Sequence, residues 1–125
     1  LEKHLGLTNV IWLQPDPAML NRTDPSGDLW QHTPNRCCWL RKVEPLDRAI
    51  RERGIEALIT GRKRYQTAQR LEMETLERDE KGIFRINPLT YWSKGQLQEA
   101  AERRNLPPHP LVDTGYLSIG CAPCT

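Results

Sequence analysis

All the cysteines of this chain fall in two tight pairs, Cys37-Cys38 and Cys121-x-x-Cys124. Thiolates are soft ligands that select iron–sulfur clusters, zinc or copper(I). Two pairs far apart in sequence suit one shared centre, each pair clamping one side once the fold brings them together. Structural zinc sites usually separate paired cysteines by two to four residues. Adjacent cysteines on one centre strain the backbone, which favours an iron–sulfur centre over zinc. The competing reading is a crossed pair of disulfides, Cys37 or Cys38 to Cys121 or Cys124, as in a secreted protein. A bridge within Cys37-Cys38 would close a small, strained ring.

A second group with chemical potential is basic. Arg62, Lys63, Arg64 and Arg70 crowd the segment after a short apolar run, in company with Thr60, Gln66 and Thr67. Cations and hydroxyls at the carboxyl end of a parallel strand are where α/β proteins bind ligands, here an anion. The plain alternative is a solvated basic loop. His4, His32 and His109 are scattered and read as surface or packing residues.

These groups need a scaffold. Asn9–Leu13 is apolar, β-branched and aromatic, and predicts a buried strand. Residues 14–36 hold Pro15, Pro17, Pro25, Pro34 and Gly27, and predict a long loop with at most one helical turn at Ala18–Leu20. Val43–Arg53 predicts a helix with Pro45 in its first turn and an apolar stripe of Leu46, Ala49 and Ile50, ended by Gly54. On this reading Lys42 sits at that helix's N-terminus. Glu56–Thr60 predicts a second strand, and strand–helix–strand order suggests a parallel sheet. Asp79-Glu-Lys-Gly82 is a turn signal between two runs, hence a hairpin. Ser93 with Gln96 forms a capping box for a helix to about Arg104.

With 125 residues, one domain is expected. The composition, 38% hydrophobic and 27% charged, suits a soluble globular protein, and a net charge of +2 is too small to argue for nucleic acid. No apolar run approaches a membrane span. Leu1–Gly6 reads as the end of a helix with Gly6 as its cap. The expectation is a single partial domain, 1–125, of a larger protein.

Several segments, in order, resemble one family. Cys37-Cys38-Trp-Leu-Arg-Lys-Val-Glu-Pro-Leu46 is similar to the tandem-cysteine segment of the assimilatory adenylyl-sulfate reductases. Thr60-Gly-Arg-Lys-Arg-Tyr-Gln-Thr67 with Arg70 resembles their substrate loop, which phosphoadenylyl-sulfate reductases share. Ile86-Asn-Pro-Leu89 with Trp92, Leu106-Pro-Pro-His-Pro-Leu111 and Gly115–Thr125 resemble the rest of the core.

The resemblance implies an adenine-nucleotide α-hydrolase-like α/β fold with a parallel sheet, of which this chain is the C-terminal half. It implies a 4Fe–4S cluster on Cys37, Cys38, Cys121 and Cys124. It places Lys42 between cluster and substrate, and Arg62, Arg64 and Arg70 at the phosphate and sulfate. It implies reduction of adenylyl sulfate to sulfite and AMP in the cytoplasm, through an enzyme S-sulfocysteine cleared by thioredoxin or a similar dithiol, with no nucleic-acid or membrane partner. The family's nucleophilic cysteine lies in a C-terminal tail, and its phosphate loop follows the first strand. Neither motif occurs in these residues, so no catalytic nucleophile is assigned here and this piece alone is expected to be inactive. Two alternatives stand: phosphoadenylyl sulfate as substrate with the same mechanism, or a structural zinc module.

Overall fold

The computed structural model describes residues 2–112, 114–116 and 121. The chain divides into two compact units, Leu1–Arg53 with Pro108–Thr125, and Gly54–Pro107.

The first unit is helical among its described residues. Helix α1, Glu2–Leu5, ends at Gly6 with φ of +62°, and the Leu7 N–H returns to the Glu2 carbonyl at 3.0 Å. This is the helix end that the glycine predicts. Helix α2 spans Pro17–Thr23. Asp16 caps it by accepting the Met19 N–H at 2.7 Å, and Pro17 occupies the first turn, where its missing N–H costs nothing. Short helices α3, Leu29–His32, and α4, Pro34–Cys38, follow. A wide π-helical turn, Trp39–Val43, then runs without a break into α5, Glu44–Arg53. Leu40 and Ala49 are buried on this run, and Gly54, at φ +58°, ends it.

Three expectations need correction here. Asn9–Leu13 is not a strand: it has no regular structure, and Trp12 is 80% exposed. An apolar β-branched run becomes a strand only where another strand offers its edge, and none of the described residues does so. The stretch 14–36 is not one long loop but carries α2, α3 and the start of α4, because Asp16 with Pro17 starts α2 and Pro34 starts α4. Lys42 is not at a helix N-terminus. It lies inside a helical run that begins at Pro34, so the macrodipole places no penalty on it.

The second unit is built on a three-stranded sheet in the order β1-β3-β2, with β1 Ala57–Ile59, β2 Leu76–Arg78 and β3 Phe84–Ile86. β1 pairs with β3 in parallel, Leu58 opposite Arg85, and β2 pairs with β3 antiparallel, Glu77 opposite Arg85. The parallel partner of β1 is therefore β3, not the 9–13 segment. The β2–β3 hairpin turns where expected. Asp79 accepts the Lys81 and Ile83 N–H groups at 3.0 Å each and pairs with Arg85 at 2.9 Å, while Gly82 takes φ of +81°. Helix α6, Lys94–Arg103, carries the predicted capping box: Ser93 accepts the Gln96 N–H at 3.2 Å, and the Gln96 side chain accepts the Ser93 N–H at 2.8 Å.

Candidate functional site

The helical unit gathers the thiols. Cys37 and Cys38 lie in the last turn of α4, Cys37 buried and Cys38 half-buried. Helical spacing puts Arg41 over Cys37 and Lys42 over Cys38. Arg41 Nη1 donates to the Cys37 sulfur at 3.6 Å. Cys121 arrives from the far end of the sequence, where the Lys42 ammonium donates to its sulfur and the Cys38 thiol bonds to it. The Lys42 hydrogen bond outweighs burial and holds the Cys121 thiol below its ordinary value. None of Cys37, Cys38 and Cys121 is in a disulfide.

This arrangement joins the two cysteine pairs through Cys38 and Cys121, with a cation beside them. Cys124 lies outside the described residues. Among the described residues no three of His, Cys, Asp and Glu are gathered closely enough to hold a metal ion.

The sheet-bearing unit holds the basic loop. It follows β1, and the Thr90–Lys94 segment follows β3, so both lie at the carboxyl ends of the parallel pair. Between them opens a cavity of about 590 Å³ lined by Arg64, Tyr65, Thr90, Tyr91, Trp92, Ser93 and Lys94. Rings and cations interleave there: the Arg64 guanidinium lies 4.4 Å from the centre of the Tyr91 ring, and the Lys94 ammonium 5.9 Å from that of Tyr65. Arg64 is braced by the Met73 carbonyl and Glu74, each at 2.7 Å. The Tyr91 hydroxyl donates to Glu74 at 2.6 Å, and that bond, with burial, raises its proton affinity.

Arg62 turns inward instead. Its Nη2 reaches Glu77 at 3.2 Å and the Asn87 side-chain carbonyl at 3.1 Å, and its Nε donates to Thr60 at 3.2 Å. Asn87 is fully buried and is the hub: it accepts the Thr60 hydroxyl at 2.6 Å and donates to Glu77 at 2.9 Å and to the Glu74 carbonyl at 2.8 Å. Arg70 bonds to Gln66 and is half-buried. The structure thus brings Arg64 to a cavity and ties Arg62 into the hub. Sequence reasoning gave no role to Asn87, Tyr65, Tyr91 or Lys94. The Asn-Pro bend after a strand was the available signal for the hub, and the aromatic residues flanking the basic loop were the signal for the cavity.

A sequence model of the phosphoadenosine phosphosulfate reductase domain matches residues 1–125. The adenosine 5'-phosphosulfate reductase of Mesorhizobium japonicum is 43% identical over 120 residues, covering 96% of this chain and 46% of that protein. Adenosine 5'-phosphosulfate reductase 1 of Bacillus subtilis is 40% identical, covering 99% and 53%. Among solved structures, the phosphoadenylyl-sulfate (PAPS) reductase of Candida auris, in a phosphate complex, superposes with a TM-score of 0.65 at 31% identity, covering 84% of this chain and 49% of that one. The α/β fold expected from the sequence is the fold found. The chain spans about half the length of the curated relatives it matches.

Proposed function

The chain belongs to the phosphoadenosine phosphosulfate reductase domain family, and from that premise we propose that it is the C-terminal half of the core of an assimilatory, thioredoxin-dependent adenylyl-sulfate reductase. The observation that carries this reading is the family match over residues 1–125 with relatives at 40–43% identity named adenosine 5'-phosphosulfate reductase; the placement of Lys42 and Cys38 beside Cys121 supports it.

The donor set fits a 4Fe–4S cluster in type: Cys37, Cys38, Cys121 and Cys124 are all thiols, and the described ones are outside any disulfide. When bound, such a cluster supplies an anionic centre of four thiolates and iron. Lys42 offsets that charge and serves the substrate sulfate. Arg64, with Arg70, serves the phosphate and sulfate of adenylyl sulfate, Arg62 holds the basic loop through the Asn87 hub, and the aromatic walls of the cavity suit a planar ligand.

The chemistry is thiol chemistry. A cysteine thiolate outside these residues attacks the sulfur of adenylyl sulfate, the S–O bond to AMP breaks, and an S-sulfocysteine forms. A dithiol such as thioredoxin then attacks the cysteine sulfur, sulfite leaves, and the donor ends as a disulfide. Cytoplasmic placement follows from this reading. Among the described residues no helix is long and apolar enough to cross a membrane.

The substrate has one competitor. The superposed Candida auris protein carries the phosphoadenylyl-sulfate name. The more similar sequences, at 40–43% identity, carry the adenosine 5'-phosphosulfate name, and this favours adenylyl sulfate. Turnover of the two nucleotides by the full-length protein with thioredoxin decides. Preference for adenylyl sulfate supports the assignment, and preference for phosphoadenylyl sulfate overturns it.

A further inference from the structure

Arg41 links two buried groups. Its Nη2 lies 2.6 Å from Oδ2 of Asp24, and its Nη1 donates to the sulfur of Cys37 at 3.6 Å. The Asp24 side chain is 1% exposed, and its other oxygen accepts the Leu29 N–H at 3.0 Å. Its backbone N–H meanwhile closes α2 on the Leu20 carbonyl at 2.8 Å. The carboxylate is therefore held at one oxygen by the Leu29 N–H and at the other by its ion pair with Arg41. A guanidinium is a rigid planar fork, so anchoring one nitrogen sets the direction of the next. Cys37 is 8% exposed, and water cannot readily supply the donor that Arg41 supplies.

We propose that Asp24 and Arg41 are positioning residues that aim a charged N–H at the Cys37 sulfur and tune that thiolate as a cluster ligand. The proposal rests on the cluster reading above. A hydrogen bond to a ligating sulfur draws charge from the iron–sulfur bond, one of the main ways a protein tunes such a centre. The long Cys37–Arg41–Asp24 chain also holds the thiol in place when its partner atoms compete for it.

A merely structural tie between helices would change stability alone, so the test reads the cluster. Full-length protein is purified anaerobically in its unaltered form and as Arg41→Met, Arg41→Lys and Asp24→Asn. Resonance Raman spectra of the terminal Fe–S stretches and the rate of iron loss to a chelator are recorded. Arg41→Met and Asp24→Asn are expected to move a terminal stretch to higher frequency and to speed iron loss by roughly 10-fold or more, the scale of losing a partner of a metal ligand. Arg41→Lys keeps a cation for Asp24 but cannot reach both groups, so it should show the same spectral shift while retaining the fold. Iron-loaded variants with unchanged spectra and release rates overturn this proposal alone. Unaltered protein without iron overturns the cluster reading and this proposal with it.

Discussion

The Lys42 ammonium hydrogen-bonds to the sulfur of Cys121, a residue far from it in the sequence. The contact lowers the proton affinity of that thiol and so favours the thiolate, the form that ligates metals. On the reading proposed above, the same ammonium would reduce the repulsion between an anionic cluster and an anionic substrate.

Lys42→Ala in the full-length protein should keep its iron, because coordination itself deprotonates a thiol. It should lose turnover by roughly 10²-fold or more, the scale for removing one transition-state charge partner. Lys42→Arg should not restore it, since a planar fork does not replace a compact ammonium. Steady-state kinetics beside iron analysis checks this. An alanine variant with near-normal turnover would place Lys42 outside the chemistry.

Asn87→Ala should destabilise the full-length protein by about 1–3 kcal/mol, the cost of stranding buried polar partners. Thr60, Glu77 and the Glu74 carbonyl all lose a partner at once. Urea unfolding measures it. A change within about 0.5 kcal/mol, typical of a surface site, would show that Asn87 does not hold the basic loop.

The hairpin should weaken in acid. Burial would raise the Asp79 carboxyl, but the Ile83 N–H, the Arg85 guanidinium and the Lys81 N–H outweigh it and hold the carboxyl below the usual range. Its folded value lies below its unfolded one. The stability it contributes is therefore fully present above about pH 4, the ordinary aspartate value, and is lost as pH falls through the folded value. In hydrogen exchange of the hairpin amides, Asp79→Asn should differ from the unaltered protein near neutrality and converge with it in strong acid. A difference that stays constant into strong acid would refute the assignment.

The parts of the fold carried by local chemistry were legible in the sequence. Ser93 with Gln96 cap a helix through their own side chains, and Asp79 with Gly82 close a hairpin, so neither depends on distant partners. The Asn9–Leu13 segment was misread because a strand is a property of two segments, and the apolar pattern of one is silent about its partner. Lys42 was set at a helix start because Pro45 looked like a first-turn proline. The chain instead enters at Pro34 and widens to a π turn at Trp39–Val43 that leaves room for it. The spacing of the cysteines led to the expectation of one shared centre; Cys121 lies beside Cys38, and Cys124 is outside the described residues. The Asn87 hub was not, because buried hydrogen bonds among Thr60, Arg62 and Glu77 leave no period in the sequence.

The central claim is that the two cysteine pairs hold one iron–sulfur cluster. Full-length protein purified anaerobically should be brown and contain about four iron and four acid-labile sulfide per chain, and Cys121→Ser should lose both. One equivalent of zinc with no sulfide would contradict the account.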